Sequence, residues 1–341
     1  MLRALLVASL MGAVLSTAPV AHAEPTAGLT VTDVRLSRSQ VAVTGLNTVL
    51  VTVEVDGGFD GPSADPNMVL YAAFGRDSGP GTYSFSSAAL TRYEGTTQHG
   101  KWRGFAHVRS TTSGVYGVDL VSNGLGGDGQ QPDYTTVIGP KLTIKGTGQP
   151  RLSARFIPEI VPVGQPYKIS WSILNADTMK PYGTKLKVVM GQGADCARNQ
   201  GHPELSTASG YVVKSYAAAG ASGLHCLILP GVPEPIAKLT FAPRRLGAVA
   251  VTPSRTAAPV GASVPVEGSV TGAPHPCAVH LQRLYGATAW RTLGTATTRT
   301  SGRFTLTAQP AAKGPAPYRV SFPICGAFAA TVSKTFTISG T

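Results

Sequence analysis

The 341-residue chain is poor in the patterns that announce chemistry. It has no Cys-x-x-Cys, His-x-x-x-His, His-Glu-x-x-His, Gly-x-Ser-x-Gly or P-loop, which removes common sequence-local routes to zinc, nucleoside-triphosphate and serine-hydrolase chemistry. Beyond the first two dozen residues no apolar run approaches the ~20 residues that span a bilayer. No amphipathic helical period exceeds two turns there. Acid is scarce, with 17 Asp+Glu against 29 Lys+Arg, and from residue 244 onward the single acid is Glu267. A carboxylate pair for glycoside hydrolysis would therefore have to lie earlier in the chain.

What is abundant is the material of strands and turns. Gly 40 and Pro 26 are spread among turns rather than gathered in low-complexity tracts, and Val, Thr and Ser are frequent, which favours an all-β chain. The alternation is clearest in the last third, at Val264–Val270, Cys277–Leu281, Arg303–Thr307 and Tyr318–Phe322. Turn signals separate these runs at roughly 8–12-residue spacing, the signature of an antiparallel sandwich. The expected organisation is a signal peptide at 1–23 and three consecutive antiparallel β-sandwich domains at 24–146, 147–243 and 244–341.

The second and third domains read as copies. Val161-Pro-Val-Gly164 with the strand after it lies over Ala258-Pro-Val-Gly261 without a gap, matching Tyr167, Ile169, Trp171 and Ile173 to Val264, Val266, Gly268 and Val270. Ser209-Gly210-Tyr211 then matches Ser301-Gly302-Arg303-Phe304, and Tyr318-Arg-Val320 finds an echo in Tyr116-Gly-Val118. Pro-Val-Gly, Gly-x-Phe and Tyr-Arg-Val in this order resemble the immunoglobulin-like repeats of modular secreted bacterial proteins, over domains 2 and 3 and faintly over domain 1. The resemblance implies an immunoglobulin-like sandwich, with a tyrosine tied back to backbone before a late strand. Its motifs are packing and turn residues, so it implies no active site.

Residues Met1–Ala23 have the form of a secretory leader: Arg3, an apolar Ala4–Leu15 and a small-x-small site at Ala21-His-Ala23. A secreted, extracellular protein cleaved after Ala23 is expected. The late strand Thr335–Ile338 is followed by no anchor motif, so attachment to the cell is expected to be non-covalent. Four cysteines in an exported chain imply two disulfides, with three connectivities open. If the strands carrying them pair antiparallel, the end of one meets the start of the other, giving Cys196–Cys226 and Cys277–Cys325. Cys325 has opposite parity to Phe322, so a local irregularity must re-aim it.

Arg76-Asp77-Ser78-Gly79-Pro80 is similar to the nucleophile motif of chymotrypsin-like proteases. That family places its histidine before the serine, and His22 in the leader is the only one there. The stretch reads as a turn. Two acidic Gly-rich loops, Asp56–Asp65 and Asn123–Asp128, read as solvated turns rather than calcium sites, since neither has EF-hand spacing. Of the tryptophans, Trp171 alternates with core positions, Trp102 is undecided, and Trp290 is the one expected to reach solvent. No catalytic residue, metal or other cofactor is expected.

Charge gives the functional lead. Residues 24–146 carry 9 basic and 11 acidic residues, 147–243 carry 9 and 5, and 244–341 carry 10 and 1. The candidate polyanion-binding residues are Arg283, Arg291, Arg299, Arg303 and Arg319. Arg303 and Arg319 alternate with apolar residues and should point outward, where guanidinium groups pair with phosphate or carboxylate. The expected partners are an anionic cell-wall polymer or a membrane surface; no motif for sequence-specific nucleic acid is present. The reading is an exported, non-enzymatic binding or structural protein of the bacterial cell exterior. The alternative is an exported hydrolase or carbohydrate-binding accessory module.

Overall fold

The computed structural model describes residues 28–59, 67–124, 133–217, 223–273 and 275–341. The leader, Asp60–Asp65 and Leu125–Asp128 lie outside these residues, and with them most of both acidic loops. The first sandwich comprises β1 (Leu29–Leu36), β2 (Gln40–Thr44), β3 (Thr48–Phe59), β4 (Tyr71–Ser78), β5 (Ser84–Ser86), β6 (Thr91–Gly95), β7 (Gly100–Arg109), β8 (Gly114–Ser122), β9 (Tyr134–Thr136) and β10 (Lys141–Thr147). The second has β11 (Pro150–Ile157), β12 (Ile160–Pro162), β13 (Tyr167–Asn175), β14 (Lys187–Gln192), the short helix α1 (Ala194–Arg198), β15 (His202–Leu205), β16 (Tyr211–Tyr216), β17 (His225–Leu229), β18 (Ala237–Phe241) and β19 (Arg244–Leu246). The third has β20 (Val249–Pro253), β21 (Ala257–Ala258), β22 (Val264–Val270), β23 (Ala278–Tyr285), β24 (Ala289–Thr297), β25 (Arg303–Ala308), β26 (Gly314–Phe322), β27 (Thr331–Val332) and β28 (Phe336–Gly340).

One plan is used three times. The opening strand breaks in two: its first half joins one sheet (β1-β3-β7-β6, β11-β13-β16, β20-β22-β25). Its second half crosses to the facing sheet and pairs in parallel with the last strand, as β2–β10, β12–β19 and β21–β28. The facing sheet continues through the late and middle strands, β10-β8-β4-β5 in the first sandwich and β28-β26-β23-β24 in the third. The first sandwich, whose sequence likeness to the others is faint, has this order most completely. Arg244–Leu246, read from the sequence as the opening of the third domain, instead pairs with β12 of the second.

Alternation in the sequence becomes burial on one face. Val51, Val53 and Val55 on β3 pack with Trp102 and Val108 of β7 in the first core. Ile169, Trp171 and Ile173 anchor the second, and Val264, Val266, Phe304, Tyr318 and Val320 the third. Trp102, undecided from sequence, is fully buried. Tyr116 and Tyr318 are both buried, and their hydroxyls donate to upstream carbonyls, Thr82 O at 2.6 Å and Gln309 O at 3.3 Å. These bonds tie the late strand of the first and third sandwiches to an earlier connection.

The disulfides are Cys196–Cys226 and Cys277–Cys325, with Cα–Cα distances of 5.7 and 6.0 Å. Cys196 projects from α1 rather than from a strand. Cys325 escapes the parity difficulty because β26 ends at Phe322, so Cys325 lies in the connection beyond it, bridged to Phe328.

Candidate functional site: a guanidinium–aromatic face on the third sandwich

On β23 the inward residues Val279 and Leu281 are fully buried, and the same parity continues to Arg283 and Tyr285 beyond the end of the core. Arg283 stands opposite buried Tyr318 on β26. It also stands opposite Arg291 on β24. Two like charges directly opposite in an antiparallel pair repel. Here the Tyr285 ring contacts both, its centroid 4.5 Å from the Arg283 guanidinium and 5.0 Å from that of Arg291. The ring's negative face attracts both cations.

The other face of the same strands carries the second stack. Gln282 and Arg319 are register partners, and Arg319 Nε donates to Gln282 Oε1 at 2.8 Å. The Arg319 guanidinium lies over the Trp290 ring, 4.3 Å from its centroid. Trp290 is half-buried, so its ring serves as a platform for Arg319 rather than as a bare face for a sugar. Stacking occupies the flat face of a guanidinium and leaves its N–H edge available for a fork with an anion.

Arg299 and Arg303 lie elsewhere. Arg303 on β25 points from the outer face of the opposite sheet, beside Ser269 and Glu267, and Arg299 Nη2 donates to Thr305 Oγ1 at 3.1 Å. The five arginines named from the sequence thus fall into three places: Arg283 with Arg291, Arg319 alone, and Arg299 with Arg303. Sequence reasoning missed Tyr285, Gln282 and the stacking role of Trp290. The signal for Tyr285 was its alternation with Arg283 on one strand.

Counter-charge separates this sandwich from the others. Among the described residues, ion pairs occur at Arg35, Lys101, Arg103, Arg109, Lys141 and Lys214, all in the first two sandwiches. None involves a cation of the third. The protease-like motif is accounted for by packing: Asp77 pairs with Lys141 at 3.3 Å, and Gly79 takes a left-handed φ of +104° against Gly114. Among the described residues, no group of three or more His, Cys, Asp and Glu side chains is placed to hold a metal.

No family model and no curated protein matches the chain. Solved structures similar to it include the Escherichia coli adhesin FdeC, at 14% identity over 91% of this chain and 96% of that one, with a TM-score of 0.27. The Yersinia pseudotuberculosis adhesin InvE is similar at 11% identity over 56% of this chain, which spans 60% of that one, with a TM-score of 0.26. The D0-D1 domain of intimin is similar at 8% identity over 91% and 98%, with a TM-score of 0.22. At such identities and TM-scores, function has to be argued from this chain's own residues.

Proposed function

We propose that the chain is an exported, non-enzymatic binding protein of the bacterial cell exterior, whose third sandwich holds anionic polymers. The observation that carries this is the set Arg283, Arg291 and Arg319, held on aromatic rings along three adjacent strands with no carboxylate partner among the described residues. Unpaired arginines on a rigid sheet retain their full field, and stacking limits the rotamer freedom lost when an anion arrives. Arg299 and Arg303 add a weaker field on the opposite sheet, where Glu267 shares their face. Two stacks on opposite faces of one ribbon suit a chain that wraps an edge better than a compact ligand in a pocket. Anionic cell-wall polymer is the partner this favours, with an acidic membrane surface as the second.

Retention of the mature chain on purified anionic wall polymer tests the reading. Binding should fall steeply between about 50 and 200 mM salt, as release of counterions requires. Arg319→Ala and Arg291→Ala should each weaken binding and flatten the salt slope. Retention that ignores salt, or survives both substitutions together, would leave the third sandwich a basic spacer.

A further inference from the structure

The third sandwich holds a single acid, Glu267, and its sheet leaves that acid without counter-charge. In the first sandwich the acids of a sheet face meet cations in register. Glu54 on β3 stands opposite Arg35 on β1 and Arg103 on β7, and pairs with them at 3.5 and 2.7 Å. Glu267 on β22 stands opposite two hydroxyl residues instead, Thr252 on β20 and Thr305 on β25. Among the described residues its exposed carboxylate has neither an ion pair nor a hydrogen bond.

Two arginines stand close to it all the same. Arg303 is one pair further along the same face, opposite Ser269, a diagonal step of about 7–8 Å between strands. Arg299 is held by the acid's own register partner: its Nη2 donates to Thr305 Oγ1 at 3.1 Å. The three charged side chains line one hollow of about 330 Å³ on the outer face of β20-β22-β25. Its floor is low because Ala250 and Ser269, opposite each other in register, are short. The arginine side is a fixed frame. Arg299 and Arg303 bracket the turn before β25, where Arg299 N donates to Arg303 O and Gly302 N to Arg299 O, both at 2.8 Å.

A ligand of one sign leaves part of this hollow mismatched. A polyanion sets negative charge beside Glu267, and a lone cation faces two guanidinium groups. A ligand with both signs, closely spaced, matches all three side chains. A single guanidinium fork engages both oxygens of a carboxylate, whereas a phosphate presents more than one edge and can be shared by two forks. The cationic end meets a carboxylate flanked by two hydroxyls, an acceptor set for the three N–H donors of a primary ammonium. A quaternary ammonium has no N–H and is recognised by aromatic faces. The one aromatic residue of the hollow, Phe304, is 1% exposed and belongs to the core.

We infer that this hollow binds the phosphate ester of a short amino alcohol, with the phosphate on Arg299 and Arg303 and the primary ammonium on Glu267. The site is independent of polymer binding by the guanidinium–aromatic face, which lies on the other sheet.

Isothermal titration calorimetry of the chain lacking residues 1–23, with O-phosphoethanolamine, phosphocholine and inorganic phosphate, tests the inference. O-phosphoethanolamine should bind about tenfold tighter than the other two, since it alone satisfies both ends of the hollow. Arg303→Gln should weaken all three ligands. Glu267→Gln should weaken O-phosphoethanolamine about tenfold, while inorganic phosphate binds at least as well once the like charge beside it is gone. A merely basic surface would gain affinity for all three ligands on that substitution, and this result would overturn the inference. So would equal affinity for O-phosphoethanolamine and phosphocholine, or no binding of O-phosphoethanolamine. Co-sedimentation with phosphatidylethanolamine vesicles, set against phosphatidylcholine vesicles, separates the sources of the ester. Preference for the former puts it on a lipid, and binding of the soluble ester alone puts it on a soluble or polymer-borne molecule; either result upholds the site. Loss of wall-polymer retention would leave this titration unchanged, so the two readings fail separately.

Discussion

At Gly268 the third sandwich has exchanged a side chain across a strand pair. Its counterpart in the repeat, Trp171, fills the centre of the second core. A Cβ on Gly268 would lie 2.3 Å from Phe304 Cζ and 2.6 Å from Ala250 O, so the Phe304 ring, opposite in register, occupies that centre from the neighbouring strand. Gly268→Ala should therefore destabilise the third sandwich by about 1–3 kcal/mol, the usual cost of overpacking, read as a lowered urea midpoint. His225 is the second decisive residue. It is 1% exposed, its Nε2 lies 2.7 Å from the Tyr167 hydroxyl, and the rings of Tyr216 and Phe156 pack against it. Burial, reinforced by the Arg245 charge, lowers its pKa from 6.5 to about 4. The unfolded chain thus takes up the proton first. Stability from this residue is complete above pH 6.5 and declines as pH falls toward 4, by at most about 3 kcal/mol. Denaturant midpoints from pH 8 to 4 should show this decline, and His225→Gln should flatten it.

The elements differ in how plainly the sequence announced them. Strict alternation made β22, β25 and the end of β26 legible, because each buries one face against a single core. β24 was missed: Leu293 is an extra residue in its pairing with β23, where the register slips between Leu281 and Gln282. That bulge breaks the period-2 pattern. The missed strand carries Arg291 and Trp290, which is why the arginines were legible as charges but their stacking was not: stacking depends on which strands are neighbours. α1 was too short to show a helical period, and the first junction, between the first and second sandwiches, left no sequence signal because its partners, Arg109 with Glu234 and Thr111 with Ile236, stand 125 positions apart. The junction makes its own prediction. Arg109→Ala removes a charged donor from the part-buried Pro235 carbonyl and should cost about 1–3 kcal/mol of coupling. Calorimetry should then resolve separate transitions for the first and second sandwiches where the parent melts them together.

For the whole molecule, three cores are joined by two hydrogen-bonded junctions rather than by free linkers. Leu46 of the first sandwich packs against the second core, and Tyr182 of the second donates to Gly148 O at 2.7 Å. Phe328 does the corresponding service at the other junction: it packs against the third core while bridging to Arg245. The contacts fix the order of charge as well as of domains, with the acid-rich sandwich at one end of the series and the arginine face at the other.

The parallel pairing of first and last strands, repeated in every sandwich, also decides how the protein carries a pull. Tension along the chain enters each sandwich through its opening strand and leaves through its closing one. Because those strands run parallel, the load slides them lengthwise and strains all their hydrogen bonds at once, instead of peeling them one by one. The clasp spans five register positions at β2–β10, three at β12–β19 and two at β21–β28. Under tension the third sandwich should let go of its crossed half-strand first, and the Cys277–Cys325 bridge then retains the fold between residues 277 and 325. The arginine strands β23, β24 and β26 all lie inside that bridged segment, so the guanidinium–aromatic face would keep its arrangement after the sandwich around it has begun to yield.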